Sequence, residues 1–127
     1  MAITSTPQVL SQSVDAYINA GNTSRIQTFS ASTGAVSINP TNGTFSRIAS
    51  PVGAVTVTFT GIPSGFANQW YVEVYNKLSQ TVSFSGVTWD GGSAPTLAST
   101  SNKMSLLTFY SPDGGTTIYG KAVISNA

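Results

Sequence analysis

The chain contains no cysteine and no histidine. Disulfides and thiolate metal sites are therefore excluded, and there is no imidazole to act as a general base. A cysteine-free chain can fold in a reducing cytosol, although many extracellular β domains also lack cysteine. Charge is scarce as well: charged residues make up 7% of the chain, against roughly 25% in an ordinary soluble domain. The formal net charge is only +1. Arg25, Arg47, Lys77, Lys103 and Lys121 are scattered and are opposed by Asp15, Glu73, Asp90 and Asp113. Nucleic-acid binding needs a basic patch that releases counterions, and no such run exists, so no nucleic-acid partner is expected. No apolar run approaches the roughly 20 residues of a membrane-spanning helix, and no membrane partner is expected. Met1–Pro7 has neither the basic start nor the apolar core of a secretory signal. Synthesis in the cytoplasm is expected.

What is present is Ser, Thr, Asn and Gly around short apolar alternations. With 127 residues the chain is long enough for one domain with a real core. Low charge leaves solubility to neutral polar groups. It suits a surface that packs against copies of itself or a larger assembly, and drift in composition would look the same.

Met1–Pro7 is small and polar, and residues 1–12 read as an extended N-terminal arm. Val9–Ala20 fits two patterns. Leu10, Val14, Tyr17 and Ile18 share a helical face, while Val14, Ala16 and Ile18 alternate as in a strand. Nearby Ser, Asn and Gly disfavour a long helix, and a strand is the reading preferred. Short strands follow at Arg25–Ser30, around Val36 and Ile38, and at Phe45–Ala49, separated by Gly, Asn and Pro. Strands at such spacing predict a β-sandwich or barrel. No internal repeat is evident, which argues against a propeller or solenoid.

Val55–Thr60 alternates three apolar residues with three threonines, so one face is core and the other solvent or partner. If unpaired, the threonine ladder would be an edge open to strand addition. In Trp70–Tyr75 the inward set is Trp70, Val72 and Val74. Val82 and Phe84 are out of phase with Val87 and Trp89. A β-bulge at Ser85-Gly86 would restore one face, and a tight turn at Gly86 is the alternative. Consecutive Leu106 and Leu107 predict a strand covered on both faces.

Two Asp-Gly-Gly turns, Asp90-Gly91-Gly92 and Asp113-Gly114-Gly115, bracket this last apolar strand. Asp-Gly suits hairpin turns that need positive φ at both central residues. The second is the firmer reversal, with Leu106–Tyr110 running in and Thr116–Val123 running out.

Trp89-Asp90-Gly91-Gly92-Ser93-Ala94-Pro95-Thr96-Leu97, an apolar strand, then Asp113-Gly114-Gly115-Thr116-Thr117-Ile118-Tyr119-Gly120 resembles a β module of tail-fibre and other virion surface proteins of tailed bacteriophages. The resemblance covers roughly Pro51–Ala127, and it departs at Asp90, where an apolar residue or Pro is expected. The family carries no catalytic motif. The resemblance implies a virion location, virion proteins such as the major capsid protein as partners, and self-association, with a trimer as the implied state.

The residues themselves offer little chemistry. Glycosidases need two carboxylates roughly 5–10 Å apart, and Asp90 with Asp113 is the one pair that loop geometry could assemble. Both lie in turns that their own side chains would cap. As Ca²⁺ ligands they are too few for an ion that takes six to eight oxygens. Ser101 and Lys103 share one side of an extended segment but have no oxyanion-hole feature beside them. No phosphate loop or nucleophile elbow occurs. No catalytic residue, metal site or cofactor is expected. Tyr71, Tyr75, Tyr110 and Tyr119 are the candidate contact residues, for a sugar face or a protein interface. Their alternative role is cross-strand packing.

The expectation is thus an all-β, antiparallel sandwich, jelly-roll or immunoglobulin-like, spanning 13–127 behind the arm. The chain starts with Met and is short, so a free-standing product is expected. A non-enzymatic capsid decoration or cement protein follows, with a tail-fibre or receptor-binding module as the alternative.

Overall fold

Val55-Thr56-Val57-Thr58-Phe59 alternates strictly, and β-branched residues pack well on a pleated surface. That segment and others like it build an all-β structure. The computed structural model describes residues 25–127. The expected arm at 1–12 and the Val9–Ala20 strand lie outside the described residues. The described residues form nine strands: β1 Ile26–Ser30, β2 Gly34–Ile38, β3 Phe45–Ala49, β4 Val55–Phe59, β5 Asn68–Tyr75, β6 Val82–Phe84, β7 Val87–Trp89, β8 Met104–Ser111 and β9 Ile118–Ile124. They form a six-stranded sheet, ordered β1-β3-β5-β8-β9-β7, and a three-stranded sheet, ordered β2-β4-β6.

The order reveals how the chain travels. Through its first half it changes sheet at every turn, so β1, β3 and β5 run parallel in one sheet and β2, β4 and β6 run parallel in the other. Only β5–β8 and β8–β9 are antiparallel, while β7 pairs parallel with β9. The expected antiparallel layout is corrected here. Jelly-roll and immunoglobulin-like arrangements are built from antiparallel strands and do not describe this coiled half. The coil carries no repeat in sequence. Ile26 lies beside Phe45 and Phe45 beside Tyr71, so successive coils differ in length and share no period.

One corner of the coil does repeat in conformation. Ser30, Ala49 and Tyr75 are register partners, and the residues after them, Ala31, Ser50 and Asn76, all have positive φ, 51°, 48° and 51°. Their amides continue the ladder: Ala31 donates to the Ala49 carbonyl at 3.0 Å, Ser50 to Tyr75 at 2.9 Å and Asn76 to Lys103 at 2.8 Å. The Asn76 side chain adds two bonds, donating to Ser50 Oγ and accepting from the Asn102 amide. Thus the backbone groups freed by leaving the strand stay paired.

Both sheets face one core. The small sheet contributes Val36, Ile38, Val55, Val57 and Val82; the large one contributes Ile48, Trp70, Val72, Val74, Leu107, Phe109 and Ile118. Phe109 sits at the centre of an aromatic cluster, with ring centroids 4.8 Å from Phe59, 5.2 Å from Phe84, 5.8 Å from Trp89 and 6.0 Å from Trp70. Burying each such side chain stabilises the fold by about 1.5–3 kcal/mol before chain entropy is charged. Ser105, also buried, accepts from the Ala98 amide at 2.8 Å and donates to the Ser125 carbonyl at 2.6 Å, pinning two irregular segments to β8.

Three local expectations change. Gly86, with φ 72°, makes a tight turn rather than a bulge. Val82 and Phe84 then approach the core from the small sheet, and Val87 and Trp89 from the large one. Of the adjacent leucines only Leu107 is in the core. Leu106 is half-buried on the outer face beside Glu73, and the strand irregularity falls between the two leucines. The threonines of β4 form no open edge, because β4 is the central strand of its sheet.

Candidate functional site

Cross-strand register decides which outward side chains meet. On the outer face of the six-stranded sheet, Gln69 lies opposite Tyr110 and Tyr110 opposite Tyr119. One level along, Tyr71 lies between Phe45 and Thr108, and Thr108 faces Lys121. The next level places Arg47 beside Glu73.

The four tyrosines divide into two pairs. Tyr71 is half-buried and stacks on Phe45, with centroids 4.7 Å apart and planes inclined by 10°. Tyr75 is half-buried beneath the Arg47 guanidinium, 4.3 Å from the ring centroid, and its hydroxyl donates to Asn102 Oδ1 at 3.0 Å. These two serve packing between neighbouring strands. Tyr110 and Tyr119 are different: they are 43% and 48% exposed, with rings 6.3 Å apart and inclined by 19°. Beside them lies an open groove of about 530 Å³, lined among others by Gln69, Asp90, Thr108 and Lys121.

The groove exists because β7 is short. It ends at Trp89, and the chain turns away through Asp90-Gly91-Gly92. Lys121, one residue beyond the last pairing of β7 with β9, therefore has no β7 neighbour. Positive φ in this turn falls on Gly91 and Gly92, at 79° and 83°, and not on Asp90. The turn is a short 3-10 segment, not a hairpin, since the strand before it pairs parallel. Among the described residues Gln69 Nε2 makes only long contacts, 3.4 Å to Tyr71 Oη and 3.3 Å to Thr108 Oγ1. Arg47–Glu73, at 3.0 Å, is the ion pair among the described residues, so neither Asp90 nor Lys121 is neutralised by another described residue.

The second Asp-Gly-Gly turn reverses the chain between β8 and β9 as expected, again with positive φ on its glycines, Gly114 at 70° and Gly115 at 88°. Its acid caps the turn. Asp113 Oδ1 accepts from the Thr117 amide at 2.8 Å and from Ser111 Oγ at 3.2 Å, and Ser111 Oγ accepts from the Gly115 amide at 2.8 Å. The Thr117 amide is the main reason the exposed Asp113 carboxyl is held below the ordinary range, with the Thr117 and Ser111 hydroxyls adding to it.

The two acids do not converge. Asp90 follows Trp89, which is level with Gly120, whereas Asp113 precedes Ile118, which is level with Val87. Parallel pairing sends them toward opposite ends of the β7–β9 pair. Among the described residues no group of three His, Cys, Asp or Glu side chains could hold a metal ion. The motif residues Trp89 and Leu97 pack against the core, and a smaller space of about 280 Å³ lies between them and β6.

Sequence reasoning singled out Tyr110, Tyr119 and Asp90 but not Gln69, Thr108 or Lys121. Lys121 had a signal, since it lies two residues after Tyr119 on one strand and so shares its face. No family model matches the chain, and neither curated proteins nor solved structures yield a match.

Proposed function

We propose that this is a non-enzymatic structural protein of a tailed-bacteriophage particle, acting as a decoration or cement protein on the outside of the capsid shell. The resemblance of Trp89–Leu97 and Asp113–Gly120 to virion surface modules motivates the particle. The observation that carries the binding role is the outer face of the six-stranded sheet. Among the described residues nothing covers it, yet it carries Ile26, Leu106, Tyr110 and Tyr119 and only one free cation, Lys121. Such a face, apolar with a polar admixture, is what protein contacts use. Its finer layout is a sandwich whose first half coils and whose second half folds back, which leaves one broad sheet free. Repeated over a shell, contacts worth about 25 cal/mol per Å² of apolar area would add up. Self-association, with the major capsid protein as partner, belongs to the same reading.

Immunogold labelling of intact particles tests it. Label over the head is expected, together with loss of heat resistance in particles lacking the protein. Absence of label from the whole particle would sink the virion reading.

A second reading is favoured by the exposed Tyr110–Tyr119 pair. In it the chain is a tail-fibre or receptor-binding module that recognises a host glycan or surface protein, and label at the tail tip would select it.

A further inference from the structure

We infer that the groove beside Tyr110 and Tyr119 binds an uncharged oligosaccharide, with the two tyrosine rings as its platform and Asp90, Lys121 and Gln69 reading hydroxyl groups. This rests on the receptor-binding reading and names the ligand class and the residues that reading lacks.

Four observations converge on this chemistry. The tyrosines are the two most exposed outward aromatic residues on the strands of the large sheet, stacked on each other with planes within 19° and otherwise uncovered by the described residues. Near-parallel rings present π faces or edges to a single flat ligand. An aromatic face carries negative quadrupole charge, and the axial C–H bonds of a pyranose are weakly positive. Second, the groove's volume of about 530 Å³ falls within the range of roughly 300–1,000 Å³ typical of small-molecule sites. Third, its charges are one acid and one base, Asp90 and Lys121, which sum to zero. A phosphate or sulfate would meet Lys121 but be repelled by Asp90, and a cationic ligand would suffer the reverse. A neutral polyol satisfies both, because each hydroxyl donates as well as accepts. Fourth, among the described residues both groups lack an ion-pair partner, and the Gln69 amide is held there only by contacts of 3.3 and 3.4 Å. Donors and acceptors are therefore already in place beside the rings, without a strong bond to break first.

A peptide fits less well. Strand addition would need an open, long edge here, and β7 offers three residues.

The test is a titration of the ¹⁵N-labelled full chain with maltohexaose, chitotetraose and a neutral dextran oligosaccharide, read by amide shifts. Saturable shifts with at least one of these, centred on Gln69, Asp90, Tyr110, Tyr119 and Lys121, are expected at a Kd no weaker than roughly 10 mM. Tyr110→Ala/Tyr119→Ala should weaken that binding at least about tenfold, the loss expected for aromatic contacts of about 1.4 kcal/mol. Asp90→Asn, an exposed turn substitution, should weaken it severalfold while leaving the spectrum folded. Tyr75→Phe, on the same face but outside the groove, should leave it unchanged. The inference is overturned by no saturable shift with any of the three, by shifts that map away from the groove, or by binding that survives both groove variants. Preference for an acidic glycan or a peptide at the same residues also overturns it. Immunogold at the tail tip with no saccharide binding would reject this inference and keep the receptor-binding reading. Label over the head together with saccharide binding would do the opposite.

Discussion

Trp89 and Gly120 are register partners on β7 and β9, and the indole occupies the space that a side chain at Gly120 would need. A Cβ there would stand 2.9 Å from Trp89 Cζ3 and 3.0 Å from Phe109 Cδ1. Gly120→Ala therefore overpacks the core, at an expected cost of about 1–3 kcal/mol. Urea unfolding followed by tryptophan fluorescence would read both the loss and the displaced ring. An unchanged midpoint would show that Trp89 yields freely.

Phe109 touches four aromatic rings, and Tyr110, the next residue, points out. Phe109→Ala should cost about 3–5 kcal/mol by leaving a cavity. Tyr110→Ala should cost no more than about 1 kcal/mol, since it removes only a surface stack. Comparable losses at both positions, measured by denaturant midpoint, would contradict the assignment of faces.

Alternation along the chain makes those faces legible in the sequence. Val55, Val57, Trp70, Val72 and Val74 all point inward as their period of two requires. The β8–β9 reversal is equally legible, because Gly114 and Gly115 supply the positive φ it needs. Parallel pairing is not legible. Periodicity states which side of a strand is apolar but not which strand lies beside it, and here neighbours in the sheet are never neighbours in the chain until β8. The corner residues Ala31, Ser50 and Asn76 share a conformation but no residue type, so they leave no signature. The groove is half visible. Tyr110 and Tyr119 flank a turn and can be paired from the sequence, whereas Gln69 arrives by the antiparallel β5–β8 pairing across two intervening strands and Asp90 by the parallel β7–β9 pairing, neither of which periodicity reveals.

Ala31 holds a left-handed conformation that costs an L-residue about 1–2 kcal/mol, and nothing in its side chain compensates. Ala31→Gly should therefore stabilise the fold by about 0.5–1 kcal/mol after the added chain entropy is subtracted. Asn76→Gly should not, because the Asn76 side chain bonds Ser50 and Asn102. Thermal melts of the two variants, moving in opposite directions, would check the corner.

Asp113 has its pKa lowered in the folded state, chiefly by the Thr117 amide. Its contribution is fully present above the ordinary Asp range and is lost as pH falls through the lowered value. The stability difference between the native protein and Asp113→Ala should thus shrink on acidification below the ordinary Asp range and stay constant above it. A difference that grows toward acid pH would reverse the sign of the assignment.

Arg47 and Glu73 meet at 3.0 Å with side chains 35% and 24% exposed. Exposed pairs contribute about 0–1 kcal/mol, and a double-mutant cycle with Arg47→Met and Glu73→Gln should return a coupling in that range. It should fall further in high salt.

The coiled path also sets how the molecule yields to a pulling force. Among the described strands β1 lies at the margin of its sheet and β2 at the margin of the other, so tension applied at Arg25 opens one ladder rung after another. It first strips β1 from β3 and then β2 from β4, like a tape lifted from its roll. The far end resists differently. β9 is held between β8 and β7, and Ala127 exchanges two backbone bonds with Met104, at 2.9 and 3.0 Å. Drawing on that end must break the Met104–Ala127 bonds and the β8 side of β9 before it reaches the β7 pairing at Ile118–Gly120, so it serves as an anchor while the opposite end unspools.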